Sequence, residues 1–143
     1  TQTNNTDEPV EVSSLVGGEN NYGDLLWLAG EKLPKDRIVR FACDCALLNI
    51  EKIKPYTDKY EIIIEFLSNP TGAKKAGVVR LAAAYAADAA YADFDDDATY
   101  AADSAAYAAR AAAHVYATYT HAANAAYAAA DEKVNELLKE LFA

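Results

Sequence analysis

The chain has 143 residues, of which 52% are hydrophobic, and it carries a formal net charge of −9 with an isoelectric point near 4.6. This length suits one domain with one core. Nucleic acids and anionic membranes are bound largely through lysine and arginine, so the acidic charge argues against both as direct partners.

The N-terminal part of the chain changes character near residue 20. Residues 1–20 are polar and lack periodicity, which predicts a flexible tail. A first short helix is expected to follow, with Asn21 as its N-cap and Gly30 as its C-cap. The sequence thus divides into a tail, 1–20, and one helical domain, 21–143.

The second predicted helix opens at Pro34 and ends at Lys54-Pro55. Its apolar residues recur every three or four positions, which marks one buried face, and Arg40 and Asp44 can pair on the outer side. Cys43 and Cys45 point about 200° apart on a helix, so they cannot bridge. We interpret them as core thiols, typical of a reducing compartment.

The free core thiols, which are typical of a reducing compartment, predict a cytoplasmic location. No apolar run approaches the ~20 residues that span a bilayer, and no signal peptide opens the sequence.

The third predicted helix begins near Asp58, because Asp58 and Glu61 have capping-box spacing. Ile62, Ile63 and Ile64 taken alone suggest a strand, but no second strand is visible, so a buried helix is favoured. The sequence Asn69–Gly72 is expected to end it.

The C-terminal half is dominated by alanine, with 26 alanines and seven tyrosines between residues 82 and 130. Alanine has the highest helix propensity and lets helices approach closely. We predict a fourth helix over 73–92 and a long fifth helix over 97–130. Residues 131–141 either continue it or form a sixth helix.

An ice-binding surface, a coiled coil and low-complexity disorder fit these residues less well. Threonines are too few and too irregular for the first, large a/d residues are missing for the second, and helix propensity opposes the third. The expected fold is all-α, a single compact bundle of about five to six helices, the last ones long and rich in alanine and tyrosine.

A polar stripe runs along the predicted fifth helix in steps of three or four residues, so its members share one face. It comprises Asp103, Tyr107, Arg110, His114, Thr118, His121 and Asn124. The stripe fits a solvated face, a buried polar network, a recognition surface or, least well, a catalytic site. On one helix His114 and His121 would be ~10.5 Å apart along the axis, too far for one metal ion.

Four carboxylates lie in the connector before this helix, at Asp93, Asp95, Asp96 and Asp97. They lack the ligand spacing and central glycine of an EF-hand loop, so calcium is disfavoured. Either they cap a helix or they face a partner. The candidate partner-binding residues are Asp93, Asp95, Asp96, Asp97, Asp103, Tyr107, Arg110, His114 and His121. No catalytic residue, metal site or cofactor is predicted.

Two segments carry a family resemblance: the run Leu33–Ala46, LPKDRIVRFACDCA, and the Ala-rich run Ala113–Ala128. The first resembles the opening helix of the Imm-5-like immunity proteins of bacteria, and the second is similar to their last long helix. Tyrosines and aspartates stand where that family would be expected to have more arginine. The resemblance implies an all-helical protein that binds and neutralises a toxin, and it implies no known catalytic residues.

The predicted function is therefore a bacterial immunity protein that occludes a cognate protein toxin. The acidic charge suggests that the toxin is basic and nuclease-like. Two alternatives remain: a helical scaffolding module, either monomeric or homodimeric through its alanine face, and an enzyme that uses His114 and His121.

Overall fold

The computed structural model describes residues 21–114 and 118–143, so the predicted tail over 1–20 lies outside the described residues. Within them every regular element is a helix, which confirms the all-α prediction, but the helices number eight and not five to six. They are α1 (Tyr22–Lys32), α2 (Lys35–Leu47), a 3₁₀-helix (Ile50–Tyr56), α3 (Tyr60–Ser68), α4 (Ala73–Ala92), α5 (Asp96–Ala113), α6 (Thr118–Ala129) and α7 (Lys133–Phe142).

The first helix begins as predicted and ends later. The Asn21 side chain accepts a hydrogen bond from the amide of Asp24 at 2.8 Å, which confirms the N-cap. Gly30 is not the C-cap, because α1 continues to Lys32. Leu33 is extended, as a residue before proline must be, so Pro34 and not Gly30 ends this helix.

The second helix is shorter than predicted, since α2 ends at Leu47 and a 3₁₀-helix follows. That helix buries Ile50 and Ile53, three residues apart as its period requires. Pro55 lies inside the 3₁₀-helix and does not terminate α2.

The expected capping box of α3 is also wrong. The helix begins at Tyr60, with Lys59 as an N-cap residue that makes no side-chain capping bond. Helix formation by the three isoleucines is confirmed, and Ile63 is completely buried while Ile62 remains half-exposed.

The predicted long helix over 97–130 is interrupted, whereas α4 matches its predicted bounds. His114 leaves the helix with extended backbone (φ −92°, ψ 140°), and α6 begins at Thr118. The His114 carbonyl accepts hydrogen bonds from the Lys35 ammonium and, at 3.4 Å, from the Thr118 hydroxyl. These donors replace its lost helical partner, and the Lys35 contact is tertiary. Residues 133–142 form the separate helix α7.

Helix α5 lies at the centre of the bundle. It packs most extensively on α4, then on α6 and α2, and it also contacts the 3₁₀-helix and α3. Between Ala101 and Ala111 only Asp103, Tyr107 and Arg110 reach the surface. The buried Ser104 hydroxyl donates to the carbonyl of Ala125 on α6 at 2.7 Å. A side chain this short can span the gap only because the two backbones are close.

The large core side chains come from the surrounding helices and pack toward the alanines. The largest fully buried ones include Leu25, Leu26, Ile53, Ile63, Leu67 and Leu138. Cys43 and Cys45 are also completely buried, as predicted for core thiols. Burial raises the pKa of Cys43 to about 12, so its thiol stays protonated at neutral pH.

Two arginines of α2 hold the ends of other helices. Arg40 donates to the carbonyls of Leu67 and, at 2.8 Å, Ser68 at the end of α3. It also forms the predicted ion pair with Asp44, at 3.4 Å. Arg37 donates to the carbonyl of Leu141 near the end of α7 at 2.7 Å. These bonds satisfy carbonyls that the helix ends leave unpaired.

Close packing around alanine predicts a sharp contrast between two positions on α4. Ala86 is completely buried, so Ala86→Leu should overpack its interface and lower the free energy of unfolding by about 1 to 3 kcal/mol. Ala89 is exposed, and Ala89→Leu should change it by less than about 0.5 kcal/mol, since both residues favour helix. Urea denaturation followed by circular dichroism measures both, and equal losses would contradict close packing at Ala86.

Candidate functional site

The corner between α4 and α5 is held by several backbone and side-chain hydrogen bonds. The amide of Phe94 donates to the Tyr91 carbonyl at 3.0 Å, and the amide of Asp95 donates to the Ala90 carbonyl at 2.9 Å. This pair of bonds is a Schellman motif, which ends a helix with one residue in the left-handed conformation. Phe94 occupies that left-handed position, at φ 57°.

The next residue begins the following helix. Asp95 is the N-cap of α5, and its Oδ1 accepts from the amide of Ala98 at 3.1 Å. Thr99 closes the turn by donating its hydroxyl to the Asp95 carbonyl at 2.9 Å. The two helices are therefore joined by Asp93, Phe94 and Asp95 alone.

Tyr56 ties this corner to the 3₁₀-helix. Its hydroxyl oxygen lies 2.8 Å from Oδ2 of Asp95 and 2.9 Å from Oδ2 of Asp93, so its one proton is shared between the two carboxylates. Hydrogen bonding to Asp95, then to Asp93, raises the pKa of Tyr56. Two of the five predicted partner-binding aspartates, Asp93 and Asp95, are thus committed to bonds inside the chain.

Phe94 is the feature that sequence reasoning missed. Glycine usually holds this position, because a side chain there costs about 1 kcal/mol in backbone energy. Here a phenylalanine stands there with 91% of its surface exposed, so burial does not offset the strain. The sequence does contain a signal, since Phe94 interrupts a run of aspartates, but only the corner geometry shows its conformation.

The remaining two aspartates of the connector, Asp96 and Asp97, are exposed in the first turn of α5. Their charges complement the positive end of the helix dipole, and they leave carboxylates open to solvent beside Phe94. Tyr91 in the last turn of α4 is 71% exposed. We define the acidic corner as Tyr91, Phe94, Asp96 and Asp97.

The polar stripe is present on α5 but does not continue along one straight helix. Asp103, Tyr107 and Arg110 form its part-exposed strip, and the Arg110 guanidinium lies 5.5 Å from the centre of the Tyr107 ring. Burial, followed by repulsion from Asp88 on α4, raises the pKa of Asp103. Asn124 is part-exposed on α6, whereas Thr118 is buried.

The break after α5 brings the two histidines together, contrary to the predicted separation along one helix axis. The ring centroids of His114 and His121 lie 4.9 Å apart, with the rings tilted by 35°. The Nδ1 atom of His121 is buried and finds no hydrogen-bond partner among the described residues. Burial first, then the proximity of His114 and Arg110, lowers the pKa of His121.

Two surface grooves lie elsewhere. One, of about 380 Å³, separates α2 from α7, and the other, of about 330 Å³, separates α3 from α4. None of the nine predicted partner-binding residues lines either groove. Within residues 21–114 and 118–143, no three His, Cys, Asp or Glu side chains are grouped so that they could hold a metal ion. No helix in these ranges is both long and apolar enough to cross a membrane.

Comparisons with protein-family models, with curated proteins and with solved structures find no match to this chain. The resemblance of Leu33–Ala46 and Ala113–Ala128 to immunity proteins therefore stays a prediction from the residues themselves.

The histidine pair predicts a pH dependence of stability. Because the pKa of His121 is lowered from 6.5 on folding, the unfolded chain binds this proton more readily than the folded one. The stabilisation is fully present above about pH 6.5 and is lost as the pH falls below that value and through the lower pKa of the folded state. The melting temperature should therefore fall as the pH is lowered from 7.5 to 5.5. His121→Gln should make the melting temperature depend less on pH.

His114→Gln is the matched comparison for that experiment. It removes one group that opposes protonation of His121 but leaves the burial, so part of the dependence should persist. An undiminished slope in His121→Gln would assign the pH dependence to other groups.

Proposed function

We propose that this chain is a protein-binding immunity domain that neutralises a basic protein toxin, in the cytoplasm, by covering the toxin's active surface. The observation that carries the binding role is Phe94, which is strained, exposed and close to the solvent-exposed carboxylates of Asp96 and Asp97. Backbone strain without a gain in burial is typical of positions retained for function.

The chemistry of the acidic corner suits a basic protein. Aromatic side chains are frequent anchors of protein interfaces, and charges around an anchor speed association and select partners. Tyr91 adds a second exposed ring, while Asp96 and Asp97 supply charge that a lysine- or arginine-rich surface can match. The chain's net charge of −9 steers such a partner toward it.

The corner is also held in a shape that suits binding. Tyr56, the Schellman bonds and the Asp95 cap fix its backbone before any partner arrives. An anchor fixed in advance loses less entropy on binding, so more of the contact energy contributes to affinity.

The toxin part of the proposal rests on the resemblance of the Leu33–Ala46 run and on the charge, and it is tested by growth. A toxin-like gene encoded beside this one should arrest growth when expressed alone, and co-expression of this chain should restore it. A purified pair should also associate more weakly as salt increases. If co-expression fails to restore growth although both proteins accumulate, the immunity role is wrong.

Substitution of Phe94 tests partner binding without lowering the stability of the fold. Phe94→Gly should leave the free energy of unfolding unchanged or raise it by about 1 kcal/mol, because glycine relieves the left-handed strain. The same change should weaken partner binding at least tenfold, as measured by calorimetry, because it removes the anchor.

Phe94→Trp serves as its control, because it keeps an aromatic ring with the same backbone requirement. It should retain binding within a few fold. Full affinity in a stable Phe94→Gly protein would show that the acidic corner is not the interface, and would direct attention to the Arg110, His114 and His121 group.

A further inference from the structure

The outer face of α4 carries large apolar side chains where a solvated helix would carry polar ones. Val78 is 49% exposed, Leu81 47% and Tyr85 70%. With spacings of three and four residues they form one stripe along the helix, opposite the buried alanines. Charged residues lie at its two ends, Lys74 before it and Asp88 after it, and both are exposed.

The stripe of one copy is complementary to the stripe of a second copy that runs antiparallel to it. Lys74 and Asp88 each lie seven residues from Leu81, on opposite sides. If a second α4 packs antiparallel with Leu81 on the twofold axis, each Lys74 faces the other copy's Asp88. The lysine and the aspartate then pair at both ends, while Tyr85 lies opposite Gly77, one residue from Val78.

A groove beside the stripe lies where the ring of Tyr85, the most exposed side chain of the stripe, can enter it. The α3–α4 groove is lined by Ile62, Phe66 and Val78, with Glu65 and Lys74 among its polar residues, and it holds about 330 Å³. In the reversed arrangement Tyr85 of one copy lies opposite Gly77 of the other, one residue from Val78, which lines this groove. Its ring can cover the half-exposed Ile62 while the hydroxyl stays near the polar rim.

We propose that the protein forms a symmetric dimer in which α4 helices pack antiparallel through Lys74, Val78, Leu81, Tyr85 and Asp88. The stripe from Lys74 to Asp88 extends about 21 Å along the helix. That is short for an interface of about 800 Å² per partner, so we expect a weak contact. The proposal is independent of the acidic corner and of any toxin.

The twofold axis makes one cysteine variant decisive. In the full-length protein, Leu81→Cys should form an intermolecular disulfide rapidly under mild oxidation, because residue 81 faces its own copy. Cys43 and Cys45 have no exposed surface and should not interfere. Tyr100→Cys places a thiol on the surface of α5, and it should cross-link much more slowly.

A double-cysteine variant tests the register. Lys74→Cys combined with Asp88→Cys should cross-link, whereas either change alone should not, because each position faces the other and not itself. Cross-linking of Leu81→Cys no faster than of Tyr100→Cys would overturn the proposal. Slow reaction of the Leu81→Cys thiol with a thiol reagent in the monomer would also overturn it, because another part of the chain would then cover this face.

Charge exchange gives an independent measurement in solution. In sedimentation equilibrium Lys74→Glu and Asp88→Lys should each weaken association several fold by placing like charges together. The double variant should restore it to within about twofold of the original. A wild-type protein that stays monomeric at 100 µM, or a double variant weaker than both single ones, contradicts the antiparallel pairing.

Discussion

The fold depends on how closely helices can approach α5. A helix with neighbours on most of its circumference has no free side toward which large side chains can be displaced. Its contact positions are accordingly alanine, with Ser104 bonding directly to the backbone of α6. Alanine buries little area, so stabilisation comes from many short contacts and from the large side chains of the outer helices.

This constraint also accounts for the aromatic surface. Since the seams admit only small side chains, most aromatic rings in the described part of the alanine-rich half are directed outward: Tyr85, Tyr91, Phe94, Tyr100, Tyr119 and Tyr127 are all 37% exposed or more. One of them has a structural role there, because Tyr127 accepts a hydrogen bond from the amide of Tyr22 at 3.1 Å and stacks near its ring. Phe94 and Tyr85 make no comparable contact among the described residues, and the two proposed interfaces are built on them.

The sequence predicts the local features well and the tertiary ones poorly. Helix propensity and chain breaks are local signals, so the bounds of α4 follow from the alanines together with the breaks at Asn69–Gly72 and Asp93. The Arg40–Asp44 pair likewise follows from its spacing. The break at His114 does not, because it depends on Lys35, 79 residues away. The histidine contact follows from that break. The sequence correctly places Asp93 and Asp95 between helices, whereas Asp96 and Asp97 lie in the first turn of α5. The bonds of Asp93 and Asp95 to Tyr56 and the strain at Phe94 arise only when three elements meet.

The two proposed interfaces can coexist because one lies on the outer face of α4 and the other at its C-terminal end. Phe94 lies thirteen residues beyond Leu81, about 20 Å along the helix direction. In an antiparallel pair the two acidic corners therefore point away from the axis in opposite directions, ~39 Å apart. Each acidic corner stays open to its own partner, because no residue of the corner belongs to the Lys74–Asp88 stripe. Dimerisation would then double the number of binding sites without altering either one, so a partner with two copies of its own could gain avidity from geometry alone.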